Sequence, residues 1–322
     1  VAIEQNGETE KTEKSGRSGA LPWIGEGMYK MNWTAPKGYK RAVLVFDGAM
    51  SQPVVTVNGK EAGKWAYGYN AFRIDITPFI QFGKKNLIEV HLNNVEESSR
   101  WYPGGGLYRP VSVELYGNEN FSTWDTFVRT LKADKQEAEV EVNALLEGKA
   151  GKSGKTVIAL LDEAGKKVAE QTVSGATPVV KTTLKVANPQ LWSPESPYLY
   201  QVKLTRYEGK KVADVQTLKT GIRTISVSKE YGFQLNGVTR KLKGVCLHHD
   251  LGPLGAAENK AALIRQIKMM KQMGCDAIRT AHNMPSTMQM EICDSLGMMV
   301  MAESFDMWIY PKCKNGYAKF FK

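Results

Sequence analysis

Gly244-Val245-Cys246-Leu247-His248-His249-Asp250, Ala277-Ile278-Arg279-Thr280-Ala281-His282-Asn283 and Met299-Val300-Met301-Ala302-Glu303-Ser304-Phe305-Asp306 are three short apolar runs, each closing on Arg, His, Asp or Glu. Two helix-like stretches separate them. Across Ala261 to Met273, Leu263, Ile267 and Met270 recur at helical spacing, and Gly274 is placed to end the helix. A second helix is expected from Ser286, a candidate N-cap after Pro285, to Leu296, with Gly297 closing it. Strand, helix, strand, helix, strand is the rhythm of a (β/α) barrel. Polar residues at the C-terminal ends of barrel strands face one pocket, so His248, Asp250, Arg279, His282 and Glu303 are expected around a common mouth. Adjacent strand residues point to opposite faces, so His248 and Asp250 can converge while His249 cannot. Lys322 follows the third run, so the barrel is expected to be truncated.

Upstream the texture is all β. A polar, Gly/Ser/Glu/Lys-rich arm covers about the first 20 residues. Period-2 runs follow, such as Arg41-Ala42-Val43-Leu44-Val45-Phe46 and Val54-Val55-Thr56-Val57, broken by Asn58-Gly59 and Gly104-Gly105-Gly106. Asn-Gly between two such runs predicts a hairpin, and a β-sandwich follows for this region. From about 121 to 227, runs such as Ala138 to Val142, Thr156 to Leu161, Thr182 to Val186 and Tyr198 to Leu204 predict a second, immunoglobulin-like sandwich. Without cysteine there, it has no inter-sheet disulfide. A small hairpin is expected through Leu235-Asn236-Gly237-Val238.

Composition narrows the function class. Apolar residues make up 42% of the 322, enough for ordinary cores in two or three domains. Lys+Arg exceed Asp+Glu by 43 to 33, a net charge of +10, but the basic residues are scattered beside glycines. No basic stripe is interleaved with stacking aromatics, so nucleic acid is not an expected partner. No run reaches the roughly 18 apolar residues of a membrane span, and the start lacks a signal-peptide profile. Val1 in place of Met suggests processing or a cut boundary. Cys246, Cys275, Cys293 and Cys313 form no Cys-x-x-Cys pair, and Cys246 and Cys275, in apolar runs, read as buried small hydrophobes, so neither a disulfide framework nor a zinc site is expected. They leave the redox compartment open, with a periplasmic or secreted setting the expectation over a cytoplasmic one. The helix methionines read as core filler.

Gly244 to Gly252 resembles the first barrel strand of glycoside hydrolase family 2, the β-galactosidase, β-glucuronidase and β-mannosidase group. Arg279-Thr280-Ala281-His282-Asn283-Met284-Pro285 is similar to its Arg-x-Ser-His-x-x-Pro turn, and Leu296 to Glu303 to its third strand. Trp101-Tyr102-Pro103-Gly104-Gly105-Gly106-Leu107-Tyr108-Arg109-Pro110-Val111 resembles the signature of its first domain. The resemblance implies a multidomain β and α/β chain. Its parts would be a sugar-binding-like jelly-roll β-sandwich over 1–120, an immunoglobulin-like β-sandwich over 121–227 and an incomplete TIM-barrel catalytic domain over 228–322. Ala302 stands where members often have Asp. Phe305-Asp306-Met307-Trp308 lacks the acidic residue and His that hold magnesium in some members, so neither a metal site nor another cofactor is expected. The resemblance puts both catalytic glutamates, on barrel strands four and seven, beyond Lys322, leaving no catalytic residue within this chain.

The activity so implied is retaining hydrolysis of terminal β-linked sugars, of β-galactosidase type, with β-glucuronidase or β-mannosidase specificity as alternatives. Substrate contacts are expected from His248, Asp250, Arg279, His282 and Glu303, and from Trp101 and Tyr102 beside a Gly-rich loop that permits close approach. Arg279 could instead form a structural ion pair with Glu303, and His282 could be satisfied by its own loop. His248, His249 and Asp250 are also chemically suited to a metal. Glu303 could hold Arg279 or touch sugar directly. A non-catalytic carbohydrate-binding module and a sandwich-repeat scaffold are rival readings, and a homo-oligomer is compatible with the sequence.

Overall fold

The computed structural model describes residues 25–95, 98, 105–148, 154–175, 177–304 and 313–317. Trp101, Tyr102 and the segment 305–308 lie outside them. The chain forms two compact units, one comprising Val1–Leu115, Gly244–Ile292 and Val300–Lys322, the other Tyr116–Lys243 and Cys293–Met299.

In the first unit, strands β1 (Gly25–Thr34), β2 (Arg41–Phe46), β3 (Val54–Val57), β4 (Lys60–Lys64), β5 (Phe72–Asp75), β6 (Lys85–Asn94) and β7 (Val111–Tyr116) make two sheets, ordered β1-β6-β3-β4 and β5-β2-β7. Leu44, Phe46, Val55, Val57, Phe72, Ile74, Ile88, Val90 and Leu92 fill the space between them, and this alternation along β3 and β6 makes the sandwich. The Asn58-Gly59 hairpin forms as expected. Both residues have positive φ, 52° and 78°, which asparagine and glycine tolerate at little cost.

The second unit holds β8 (Glu119–Phe121), β9 (Phe127–Ala133), β10 (Glu137–Gly148), β11 (Gly154–Leu161), β12 (Lys167–Ser174), β13 (Val179–Ala187), β14 (Tyr200–Glu208) and β15 (Lys211–Thr220). One sheet runs β13-β10-β8, with β9 also on β10, and the other β12-β11-β14-β15. A small sheet of β16 (Ile225–Ser228), β17 (Gly232–Leu235) and β18 (Val238–Thr239) follows, with Asn236-Gly237 at its second turn. A buried ion pair sits inside this sandwich. Arg206 Nη2 lies 3.0 Å from Glu119 Oε1, with the two side chains 1% and 2% exposed. Gly154 makes room for it, since a Cβ there would stand 2.0 Å from Arg206 Nη2.

Strands β19 (Gly244–Leu247), β20 (Ala277–Thr280) and β21 (Met299–Ala302) form one sheet in that order, alternating with helices α1 (Lys260–Gln272) and α2 (Thr287–Leu296). This is the start of a TIM barrel, not a closed one. Asn259 caps α1 by accepting the Ala262 N–H, and Leu263 and Ile267 are its buried residues. Ser286 caps α2, its Oγ accepting the Gln289 N–H at 3.0 Å. Two burial expectations need correction. Cys246 is exposed and Cys275 half-buried, and Met269 and Met273 are 42% and 67% exposed. Cys246 lies on the same strand face as Arg279, which no described element covers, and Met269 and Met273 lie off the Leu263/Ile267 stripe. No described helix is long and apolar enough to cross a membrane.

Removing one partner of the Arg206–Glu119 pair leaves a buried charge uncompensated, which costs about 3–5 kcal/mol. Arg206→Met should therefore lower unfolding stability by that order in urea denaturation. Arg206→Met combined with Glu119→Leu should recover most of the loss.

Candidate functional site

Strands β19 and β20 pair in parallel with Cys246 opposite Arg279, so these side chains share a face, and His248, two residues after Cys246 and just past the end of β19, continues it. Arg279 Nη1 approaches Cys246 Sγ at 3.9 Å. Glu303 follows β21 directly, and its backbone N–H donates to Thr280 Oγ1 at 3.2 Å. From that fixed position its carboxylate receives two neighbours. Arg279 Nη2 lies 2.7 Å from Oε2, and His282 Nδ1 lies 3.2 and 3.1 Å from Oε1 and Oε2. The His248 ring meets the His282 ring edge-on, with centroids 5.2 Å apart. Arg279, His282 and Glu303 are partly accessible, at 41%, 24% and 18% of their side-chain surface.

The structure thus brings together His248, Arg279, His282 and Glu303 of the expected mouth residues. Asp250 is engaged differently. Its Oδ1 accepts the Gly252 N–H at 2.7 Å, an Asx-type turn that shapes the loop after β19. Trp101 and Tyr102 fall outside the described residues.

His249 points away from this cluster, as strand alternation requires, and into a polar joint that sequence reasoning did not find. Its Nε2 is 3.2 Å from the Asn283 carbonyl and its Nδ1 3.4 Å from Arg109 Nη2. A carbonyl only accepts and a guanidinium only donates, so the ring is neutral with its proton on Nε2. Burial, then the Arg109 charge, lowers its pKa to about 3. Arg109 is 5% exposed. It donates through Nη1 to the Tyr69 and Asp47 carbonyls at 2.7 and 3.2 Å, and through Nη2 to the Met284 carbonyl at 2.8 Å. Sandwich loops and the turn after β20 are therefore tied through one guanidinium. Gly48 is needed beside it, because a Cβ there would lie 2.9 Å from Arg109 Cδ.

Two contacts reinforce this joint. The Tyr67 hydroxyl donates to Asn283 Oδ1, and Ser286 Oγ donates to Glu258, whose carboxyl is pushed up in pKa chiefly by burial. A cluster of Met50, Tyr67, Tyr69, Tyr108, Ala256 and Tyr317 packs around them. Arg109 lies within the Trp101 to Val111 stretch singled out in the sequence. Nothing local there reveals that its partners lie at positions 47, 69, 249 and 284.

A histidine whose folded pKa falls from about 6.5 to about 3 costs the fold nothing at neutral pH, where both states are uncharged, and penalises it progressively as pH falls through this window. There the unfolded chain binds the extra proton, so stability rises with pH by up to about 1.4 kcal/mol per unit. His249→Gln should be less stable at pH 7, and its urea midpoint should depend less steeply on pH between about 4 and 6 than that of the parent.

Comparison with known proteins agrees with this architecture. The family model for glycosyl hydrolases family 2 matches residues 122–223, and that for the TIM barrel domain of glycosyl hydrolases family 2 matches residues 225–308. Beta-galactosidase BoGH2A of Bacteroides ovatus is 36% identical over 330 residues, covering 99% of this chain and 38% of that protein. A beta-glucuronidase of Bacteroides fragilis is 29% identical over 283 residues, covering 82% of this chain and 40% of the relative. The crystal structure of a beta-glycosidase from Bacteroides vulgatus superposes with a TM-score of 0.88 at 32% identity, covering 97% of this chain and 41% of that one. The chain spans about two fifths of the length of these relatives.

Proposed function

The chain belongs to glycosyl hydrolase family 2, and from that premise we propose that it supplies the substrate-holding, amino-terminal part of a retaining β-glycosidase acting on terminal β-linked sugars. The observation that carries this reading is the convergence of His248, Arg279, His282 and Glu303 at the ends of β19, β20 and β21, where barrel enzymes do their chemistry. Such a set suits a pyranose. Its hydroxyls need donors and acceptors at fixed angles, and binding energy gained there becomes orientation at the reacting bond.

Retaining hydrolysis needs two carboxyl groups about 5–5.5 Å apart, one as nucleophile and one as acid. Glu303 is the single carboxylate of the described cluster, and it is engaged by Arg279 and His282. It therefore acts as a holder, and the catalytic pair belongs to strands later in the barrel. In the same cluster the Arg279 charge is neutralised by Glu303 at 2.7 Å.

Two outcomes follow. Purified 322-residue chain should show no sustained turnover of nitrophenyl β-galactoside or β-glucuronide, since nucleophile and acid are both missing. In the enzyme at the relatives' full length, Arg279→Ala should lower kcat/KM on the galactoside by about 1.5–3 kcal/mol, the value of a charged hydrogen bond, while moving the thermal midpoint less than a core truncation does. A variant that unfolds readily while its folded fraction keeps full activity would make Arg279 structural.

A further inference from the structure

The Nδ1 of His282 has two incompatible neighbours. Arg279 Nη2, at 3.5 Å, can only donate, and would require a lone pair on Nδ1. The Glu303 carboxylate, at 3.1 and 3.2 Å from its two oxygens, can only accept, and requires a proton there. The carboxylate contacts are shorter and come from both oxygens. Arg279 also has a better partner in Glu303 itself at 2.7 Å, so the arginine contact to the ring is a by-product of their shared acceptor. Glu303 is held on the other side by its backbone bond to Thr280, so the acceptor is in place whichever way the ring turns.

We propose that Glu303 is a positioning residue that fixes His282 as the Nδ1–H tautomer, leaving Nε2, on the far side of the neutral ring, as a hydrogen-bond acceptor. At this point of the mouth the protein would then read a group that donates, such as a sugar hydroxyl, and would disfavour one that only accepts, such as a carboxylate. That consequence for substrate rests on the glycosidase reading above; the tautomer does not. His249 makes the contrast within the same chain. Its Nε2 faces a carbonyl and its Nδ1 a guanidinium, so the two histidines carry their protons on opposite nitrogens. A second-neighbour carboxylate that sets tautomer and ring angle is a general device for making histidine a directional contact.

The test needs no turnover. The chain has four histidines, so nitrogen-15 ring spectra that report which nitrogen carries the proton are tractable, with His282→Asn used to assign the resonances. At about pH 8, above the ordinary imidazole range, the wild-type His282 signal should have the Nδ1–H pattern and that of His249 the Nε2–H pattern. Glu303→Ala should convert His282 largely to Nε2–H, the form an isolated side chain prefers. Glu303→Gln should retain Nδ1–H, because the amide oxygen is still drawn toward both donors. Should Glu303→Ala fail to fold, the wild-type and Glu303→Gln spectra decide alone. A wild-type His282 on Nε2–H, or one unmoved by Glu303→Ala, overturns the proposal. Failure of glycosidase activity in the longer enzyme would leave the tautomer assignment intact and remove only the consequence for substrate.

Discussion

The guanidinium of Arg109 is the contact on which the position of the mouth depends. It is nearly buried, and its donors are distributed over carbonyls of two sandwich loops, at Asp47 and Tyr69, and over Met284 in the turn that follows β20. A lysine could not reproduce this, because an ammonium lacks the planar fork that reaches separated acceptors at once. Each acceptor is a backbone carbonyl, and charge-assisted bonds of this kind contribute about 1.5–3 kcal/mol each. His282 lies two residues before Met284 and His248 one residue before His249, so what fixes the joint also fixes the cluster.

The cluster itself is organised around one acceptor. Glu303 collects a cation and an imidazole N–H at 2.7 and 3.1 Å, and its main chain is pinned to Thr280. Neighbouring β-strands space such residues about 4.8 Å apart, which is why side chains from β20 and β21 reach one another without long loops. The opposite face of β19 sends His249 into the joint with Arg109. A single strand thus serves both the open face and its support, with alternation deciding which residue does which.

Much of this was legible in the sequence where the signal is local. Asn58-Gly59 and Asn236-Gly237 dictate their turns through positive φ, Ser286 and Gly297 bound α2, and strand alternation separated His248 from His249. Apart from the Arg279–Glu303 pair, long-range polar contacts left no such trace. Arg109 and Arg206 are arginines in β-rich sequence, and nothing near them discloses that one is bonded to a residue 175 positions away and the other paired with Glu119 inside a sandwich. Burial was misread at Cys246 and Met273 for a related reason. Side-chain chemistry gives a preference, whereas exposure depends on which face the packing covers.

Hydrogen exchange on Arg109→Lys against the parent chain tests the central role of this guanidinium most directly. If Arg109 holds the mouth, amides of 281–286 and 247–250 should exchange roughly tenfold faster or more in the variant, the loss of at least one charged hydrogen bond, while those of β10 and β14 keep their protection. Unchanged exchange at 281–286, or acceleration spread evenly over both compact units, would contradict it.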